Sequence, residues 1–184
     1  MTISEANDPV VLVDENDREV GSLGKLEAHR TGRLHRAFSV FVFNEDGEVL
    51  LQQRSPRKYH SGGLWTNTCC SHPRPMERIE LAAERRLREE MGLQVRVRHQ
   101  FSFIYRADLG NGMTENEFDH VFFAFHCGDP FPDPMEVADW RWVTMEQLDR
   151  ELSAHPERFT VWLRSCWSEV MRYRRSEGPL AATG

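Results

Sequence analysis

Ile79, Ala83, Leu87 and Met91 recur at every fourth position between Met76 and Gly92, which places them along one stripe of an α-helix. Gly92 stands directly after the last of them, where a helix end favours a residue tolerant of left-handed φ. Glu77, Glu80, Glu84, Glu89 and Glu90 occupy much of the remaining surface, so this part of the chain must bury one apolar face and leave an acidic one outside. Around it the pattern changes to short β-branched and aromatic runs. Phe38 to Phe43, the turn Asn44-Glu45-Asp46-Gly47 and the continuation Glu48 to Arg54 read as a hairpin. Further strands are expected over Pro9 to Asp14, Trp65 to Cys70, Gln94 to Tyr105, Phe118 to Cys127 and Val137 to Val143, with Gly110-Asn111-Gly112 as a loop and a polar segment between the first strand and the hairpin. Pro130, Pro132 and Pro134 mark a rigid connection, and Thr144-Met145-Glu146-Gln147 has the capping-box pattern that opens a helix. After Pro156, a final helix buries Phe159, Trp162, Leu163, Cys166 and Val170. From Ser176 the small-residue tail is expected to fray.

With 184 residues, 40% hydrophobic and 28% charged, the chain has apolar material for one packed domain, expected over residues 1–175 with 176–184 as a disordered tail. A net charge of −6 without a continuous basic stripe excludes a nucleic-acid surface, and the arginines of 85–88 and 172–175 read as solvated helix faces. Of the 4 cysteines, Cys69 and Cys70 are adjacent and would strain if bridged, which leaves Cys127 and Cys166 as the one plausible pair and argues against a disulfide scaffold. The first eight residues lack a basic start and an apolar run, and no later segment approaches the ~18 apolar residues of a membrane span. A reducing cytoplasm is the expected compartment, with no membrane partner.

Chemistry concentrates in Trp65-Thr66-Asn67-Thr68-Cys69-Cys70-Ser71-His72-Pro73, a thiol pair beside an imidazole. Imidazoles and carboxylates together suit an octahedral nitrogen and oxygen shell, and His29, His35, His72, Glu115 and Glu117 offer five such ligands. Glu115 and Glu117 are two apart near a strand start, so the pleat points both to one side. The loop over 55–64, with Arg57, Lys58 and His60, reads equally well as a phosphate-facing lining or as an ordinary basic loop.

His29 and His35, Arg54 and Lys58, the Trp65–Pro73 block, Tyr105-Arg106-Ala107, Glu115-Asn116-Glu117 and Trp162 together resemble the motif set of the type I isopentenyl-diphosphate isomerases, over about Val10 to Trp167. That resemblance implies an α/β fold: a single-domain Nudix-like α/β/α sandwich with a mixed sheet. Ser71 to Leu93 aligns with the Nudix box, Gly-x5-Glu-x7-Arg-Glu-apolar-x-Glu-Glu-x-Gly-apolar, matching at Glu77, Arg85, Leu87, Glu89, Glu90, Gly92 and Leu93. Ser71 replaces the first glycine and Arg86 replaces the glutamate after Arg85. Both departures weaken a hydrolase reading, since the box glutamates hold the ions that assist attack of water.

The resemblance further implies that His29, His35, His72, Glu115 and Glu117 bind one Mn2+, Mg2+ or Zn2+ ion. Glu90 and the backbone near Cys70 would hold a Mg2+ ion on the substrate diphosphate, with Lys25, Arg54, Lys58 and Arg86 as its cationic partners. The implied reaction shifts a double bond between isopentenyl and dimethylallyl diphosphate through a tertiary carbocation walled by Trp162. Cys70 and Glu117 would handle the protons: Glu117, helped by Tyr105, as the acid and Cys70 as the thiolate base, with the reverse assignment open. Cys69, Cys127 and Cys166 read as core packing. Two alternatives share parts of this pattern: a Nudix hydrolase of a nucleoside or prenyl diphosphate, and a non-catalytic module holding structural zinc. Oligomeric state, monomer or dimer, stays open.

Overall fold

The computed structural model describes residues 8–58 and 60–176. In chain order the elements are β1 (Pro9–Val13), β2 (Glu19–Gly24), α1 (Lys25–Thr31), β3 (His35–Phe43), β4 (Val49–Arg54), β5 (Trp65–Thr66), β6 (Cys69–Ser71), α2 (Ile79–Met91), β7 (Arg98–Gly110), β8 (Met113–Phe125), β9 (Val137–Val143), α3 (Met145–Ala154), a 3-10 turn at Pro156–Arg158, and α4 (Val161–Ser176). Of the tail expected to fray from Ser176, Ser176 itself closes α4 and residues 177–184 lie outside the described residues.

The strands form one mixed sheet organised around β3. β8 runs parallel to β3 along its whole length, from His35 opposite Glu117 to Phe43 opposite Phe125. The other edge of β3 is shared in succession by β1 at His35, β6 at Phe38 to Val40, and β4 at Phe43. Because strand side chains alternate between faces, β3 and β8 build two cores. Phe41, Phe43, Val121 and Phe123 pack with Leu148, Leu163, Cys166, Trp167 and Val170 of α3 and α4. On the opposite face Phe38, Val40, Val42 and Phe122 pack with Ala82, Ala83, Leu87 and Met91 of α2. The result is the expected three-layer α/β/α arrangement, in which each fully buried Leu or Met of α2 contributes roughly 1.5–3 kcal/mol.

Several elements fall where the sequence puts them. α2 ends on Gly92 at φ 69°, α3 opens with the Thr144 hydroxyl accepting the Gln147 N–H at 3.1 Å, and Trp162, Leu163, Cys166 and Val170 face inward from α4. Four readings change. Trp65 to Cys70 is not one strand: β5 pairs with β4 while β6 pairs with β3. Between them Asn67 Nδ2 donates to the Val40 and Cys69 carbonyls, and the Thr68 hydroxyl donates to the Leu50 carbonyl while accepting the Val42 N–H. These buried bonds occupy backbone groups that a regular β3–β4 hairpin would use, so the expected hairpin pairs only at Phe43 and Val49 and then splays. The loop at 110–112 shrinks to a tight turn with Asn111 and Gly112 both at positive φ, a condition met by type I′ turns. β7 and β8 accordingly extend to Gly110 and from Met113, so Glu115 and Glu117 lie within β8 rather than before it. Lastly, the polar segment upstream of β3 holds an edge strand and a short helix, β2 and α1.

Candidate active site

Sheet register assembles the site. Tyr105 of β7, Glu117 of β8 and His35 of β3 are direct cross-strand partners, forming one row on the α4 side of the sheet. Glu115 stands two residues before Glu117 on the same face, buried like it. β6 pairs Cys70 with Ser39 and Cys69 with Val40, and alternation sends the neighbouring thiols to opposite faces. Cys69 enters the core against Ala82, Ala83 and Leu87. Cys70 lines a cavity with Trp162, Tyr105 and Glu117. α1 supplies Lys25 and His29 four residues apart, with the His29 Nδ1–H donating to the Lys25 carbonyl at 2.6 Å.

His29, His35, His72 and Glu117 bring ligand atoms within 4.8 Å of one another, as do His29, His60 and Glu115. His29 Nε2 lies 3.2 Å from Glu115 Oε2, His35 Nε2 3.5 Å from Glu117 Oε1, and His72 Nε2 2.9 Å from the same oxygen. Although buried, His35 Nε2 and His72 Nδ1 make no hydrogen bond among the described residues, an expensive condition for polar atoms unless something else satisfies them. Burial drives the imidazoles toward their neutral, ligating form: His29 is lowered, His72 falls to about 3 despite its bond to Glu117, and His60 to about 2 with Arg54 and Lys25 adding to the effect. Burial and the adjacent Glu117 raise the Glu115 carboxyl well above its usual range. Glu117 is itself buried, yet the adjacent imidazoles of His35 and His72 outweigh that and hold its carboxyl well below the usual range. Crowded neutral imidazoles around two carboxylates form a donor set that fits a divalent ion.

Next to this cluster, Lys25, Arg54, Lys58, Arg85, Arg86 and Glu90 line an outer pocket that shares Cys70, Ser71 and His72 with the inner cavity. Burial, then the charges of Lys58 and Arg54, push the Lys25 ammonium below its usual value. Cations held this close favour a polyanionic ligand. Glu136 pairs with both Lys58 and Arg86, and Arg86 also meets Glu90 at 2.7 Å. At the inner end the Arg54 guanidinium lies 5.1 Å from the Trp162 ring centroid and 3.9 Å from Cys70 Sγ. Burial pushes the Cys70 thiol up to about 12, Arg54 only partly opposing it. Tyr105, raised by burial and by Glu117, donates its hydroxyl to Glu117 Oε2 at 2.5 Å.

Every site residue expected from the sequence therefore lies in or beside these two connected pockets. Cys127 does not keep its packing role: β8 ends at Phe125, and Cys127 is exposed beyond it, while Cys69, Cys70 and Cys166 are buried or half-buried and all four thiols are free. Arg57 of the basic loop turns outward to Met135 Sδ. Three contributors were not anticipated. Gln52 donates to Glu90 Oε2 at 2.9 Å and orients it, Glu136 holds the two pocket cations, and His60 joins the imidazole cluster. The signal for His60 was its place two residues after Lys58 in a loop already flagged for anion binding; Gln52 and Glu136 carry no motif that marks them.

Residues 33–163 match the NUDIX domain family. The chain is 52% identical over 170 residues to isopentenyl-diphosphate Delta-isomerase 1 of Aromatoleum aromaticum, covering 92% of this chain and 96% of that protein. It is 45% identical over 164 residues to isopentenyl-diphosphate Delta-isomerase of Pectobacterium atrosepticum, covering 89% and 92%. Among solved structures, DR0079 from Deinococcus radiodurans superposes with a TM-score of 0.74 at 23% identity, covering 88% of this chain and 98% of that one. A MutT protein from Methanosarcina mazei superposes with a TM-score of 0.61 at 19% identity, covering 79% and 96%, and these two likenesses speak to the fold alone. Among the described residues no helix is long and apolar enough to cross a membrane.

Proposed function

The chain belongs to the NUDIX superfamily and, within it, to the type I isopentenyl-diphosphate isomerases, and from that premise we propose how its two connected pockets divide the reaction. It is an isomerase that interconverts isopentenyl and dimethylallyl diphosphate. The outer pocket takes the diphosphate through Lys25, Arg54, Lys58 and Arg86, since several charge-assisted bonds on one polyanion both anchor and orient it. Glu90, held by Gln52 and Arg86, is the carboxylate for a Mg2+ ion on that diphosphate, and His29, His35, His72, Glu115 and Glu117 form the second metal site, suited to Mn2+, Mg2+ or Zn2+. When bound, these ions neutralise diphosphate charge and fix the ligating side chains.

Double-bond migration requires a proton added to the terminal alkene carbon and another removed from the neighbouring CH2. Cys70 and Glu117 stand on the strands flanking β3 on either side, so a flat five-carbon skeleton between them meets one group from each flank. Glu117, ionised and with the Tyr105 hydroxyl on its Oε2, takes the proton from the neighbouring CH2 on the way to the allylic product, which is the assignment the resemblance left open. Cys70, held as a thiol by burial, delivers its proton to the terminal alkene carbon and is left as a thiolate beside Arg54. In the reverse direction the roles exchange. Trp162, 3% exposed, offers its π face to a tertiary carbocation and keeps water away from it. The observation that carries this reading is the shared lining of one cavity by Cys70, Glu117, Tyr105 and Trp162. Four free cysteines accord with a cytoplasmic setting.

Hydrolysis is the lesser reading, and the box helix disfavours it. Arg85 binds Glu77 and Glu89, and Arg86, standing in place of a box glutamate, also binds Glu89, so of the box glutamates only Glu90 lines the outer pocket. Incubating the purified protein with isopentenyl diphosphate and divalent metal in D2O tests the proposal. Acid-labile product carrying solvent deuterium is expected, whereas release of phosphate without isomerised product would refute the isomerase mechanism.

A further inference from the structure

The imidazole cluster contains one member more than the five expected ligands. His60 comes from the loop between β4 and β5, and its side chain is 7% exposed, with Nε2 3.7 Å from Glu115 Oε1. Its ring stands edge-on to Trp162, centroids 5.9 Å apart, and 5.7 Å from the ring of His29. The Ser61 hydroxyl lies 3.3 Å from His60 Nδ1, which turns Nε2 toward Glu115 and the cluster.

Two groups of ligand atoms meet at His29: one with His35, His72 and Glu117, the other with His60 and Glu115. A carbonyl oxygen only accepts, so the bond from His29 Nδ1 to the Lys25 carbonyl fixes the proton on Nδ1 and leaves Nε2 as the ligating nitrogen. One nitrogen lone pair serves one ion. The two groups therefore compete for His29 unless they close on one ion together, which requires the ligand atoms of His60 and Glu115 to draw in toward those of His35, His72 and Glu117. Their union is four imidazoles and two carboxylates, six donors for an octahedral ion.

We propose that His60 is a sixth protein ligand of the histidine-glutamate metal centre, closing its coordination shell against water. This rests on the metal site of the proposed function and extends it. A shell filled by side chains carries no metal-bound water beside the cavity where Cys70, Glu117 and Trp162 meet, removing the nucleophile best placed to quench a carbocation. Because His60 follows Lys58 by two residues, ligation also ties the diphosphate-binding loop to the metal centre.

The test loads the wild-type protein with one equivalent of Mn2+ in the absence of substrate. Water-proton relaxation reports inner-sphere water, and pulsed electron paramagnetic resonance counts coupled imidazole nitrogens. The wild type is expected to show four imidazoles and no exchangeable inner-sphere water. His60→Ala and His60→Gln should each show three imidazoles, one water, and an Mn2+ dissociation constant raised by roughly tenfold or more, with added imidazole displacing the water in His60→Ala. A wild type with three imidazoles and a fast-exchanging water would overturn the role of His60 while leaving the five-ligand centre standing, and that result needs no variant to fold. Two tightly bound ions in the cluster would likewise overturn it, and no Mn2+ binding at all would overturn the centre itself.

Discussion

Substituting the adjacent cysteines one at a time separates packing from chemistry. Cys69→Ala removes one sulfur from a fully buried position among Ala82, Ala83 and Leu87, a loss comparable to one methyl-sized group in a core, about 0.5–1.5 kcal/mol. For a domain of this size that lowers the melting temperature by about 1–6 °C. Turnover measured well below that temperature should stay within about twofold, because the side chain faces α2 and not the cavity. Cys70→Ala, on the opposite face, takes away a proton-transfer group whose contribution is on the order of 10²–10⁴ in rate, or about 3–5 kcal/mol of barrier. Its stability should shift little, since Cys70 packs against no apolar cluster and lines a pocket. The assay is formation of acid-labile allylic product from isopentenyl diphosphate, paired with thermal unfolding of each variant. Equal losses of turnover for the two variants would refute the division made by the β6 register. So would a Cys70→Ala enzyme retaining more than about a tenth of wild-type turnover.

Three further outcomes are expected. Burial holds His72 down to about 3 and His60 to about 2, whereas in the unfolded chain each titrates near 6.5. Below about pH 6.5 the unfolded state therefore binds protons at these two imidazoles that the folded state does not, which costs up to about 1.4 kcal/mol per pH unit per group as pH falls, while Glu115, raised in the fold, works in the opposite sense; in chelator His60→Gln should lose less melting temperature than the wild type between pH 7.5 and 5, and an equal loss would contradict this. Arg86→Gln should raise KM for isopentenyl diphosphate by roughly 10–100-fold, the loss of about 1.5–3 kcal/mol of charged hydrogen bonding, with a smaller effect on kcat under saturating substrate. Glu117→Gln should lower kcat by at least about a hundredfold and weaken metal binding by calorimetry; intact metal affinity would remove Glu117 from the ligand set.

Legibility in the sequence followed how locally each element is determined. α2 was readable to within a few residues because a four-residue apolar period and a terminal glycine are local signals. α1 was not: seven residues without an apolar period, entered from Gly24 without a side-chain cap, have no intrinsic reason to be helical, and packing of the buried Ala28 and His29 decides the matter. β2 is an edge strand with its first four residues exposed, so it lacks the alternation that marks a half-buried strand. The Trp65–Ser71 block misled as to strand continuity because Thr66, Asn67 and Thr68 look like β-formers or turn formers, whereas the Thr68 hydroxyl bolts β3 to β4, Asn67 ties β3 to β6 and Thr66 reaches Thr160. Ligand identities came through the motif resemblance; Gln52 and Glu136 escaped because their roles exist only once β4 and the segment before β9 meet the box helix.

The altered box and the histidine cluster explain each other. A box helix in which Arg86 stands for a glutamate trades part of an ion-collecting surface for a cation aimed at the outer pocket, and the arginine ladder on Glu77, Glu89 and Glu90 completes that trade. Glu90 keeps its place at the pocket because Gln52 and Arg86 hold its two oxygens apart. The second cluster lies across β6, on the α4 face of the sheet, where β3 and β8 bring His35 and Glu117 into register. Ser71 and His72 span the two, since β6 is only three residues long and its end reaches both pockets. Diphosphate capture and carbon chemistry are separated in this way, with Lys58, Arg85, Arg86 and Glu90 in one pocket and Tyr105, Glu117 and Trp162 in the other. A hydrolase needs an ion-bound water at the phosphate, whereas here Arg86 on α2 replaces one box glutamate and Glu115 and Glu117 on β8 join the histidine cluster beside Cys70.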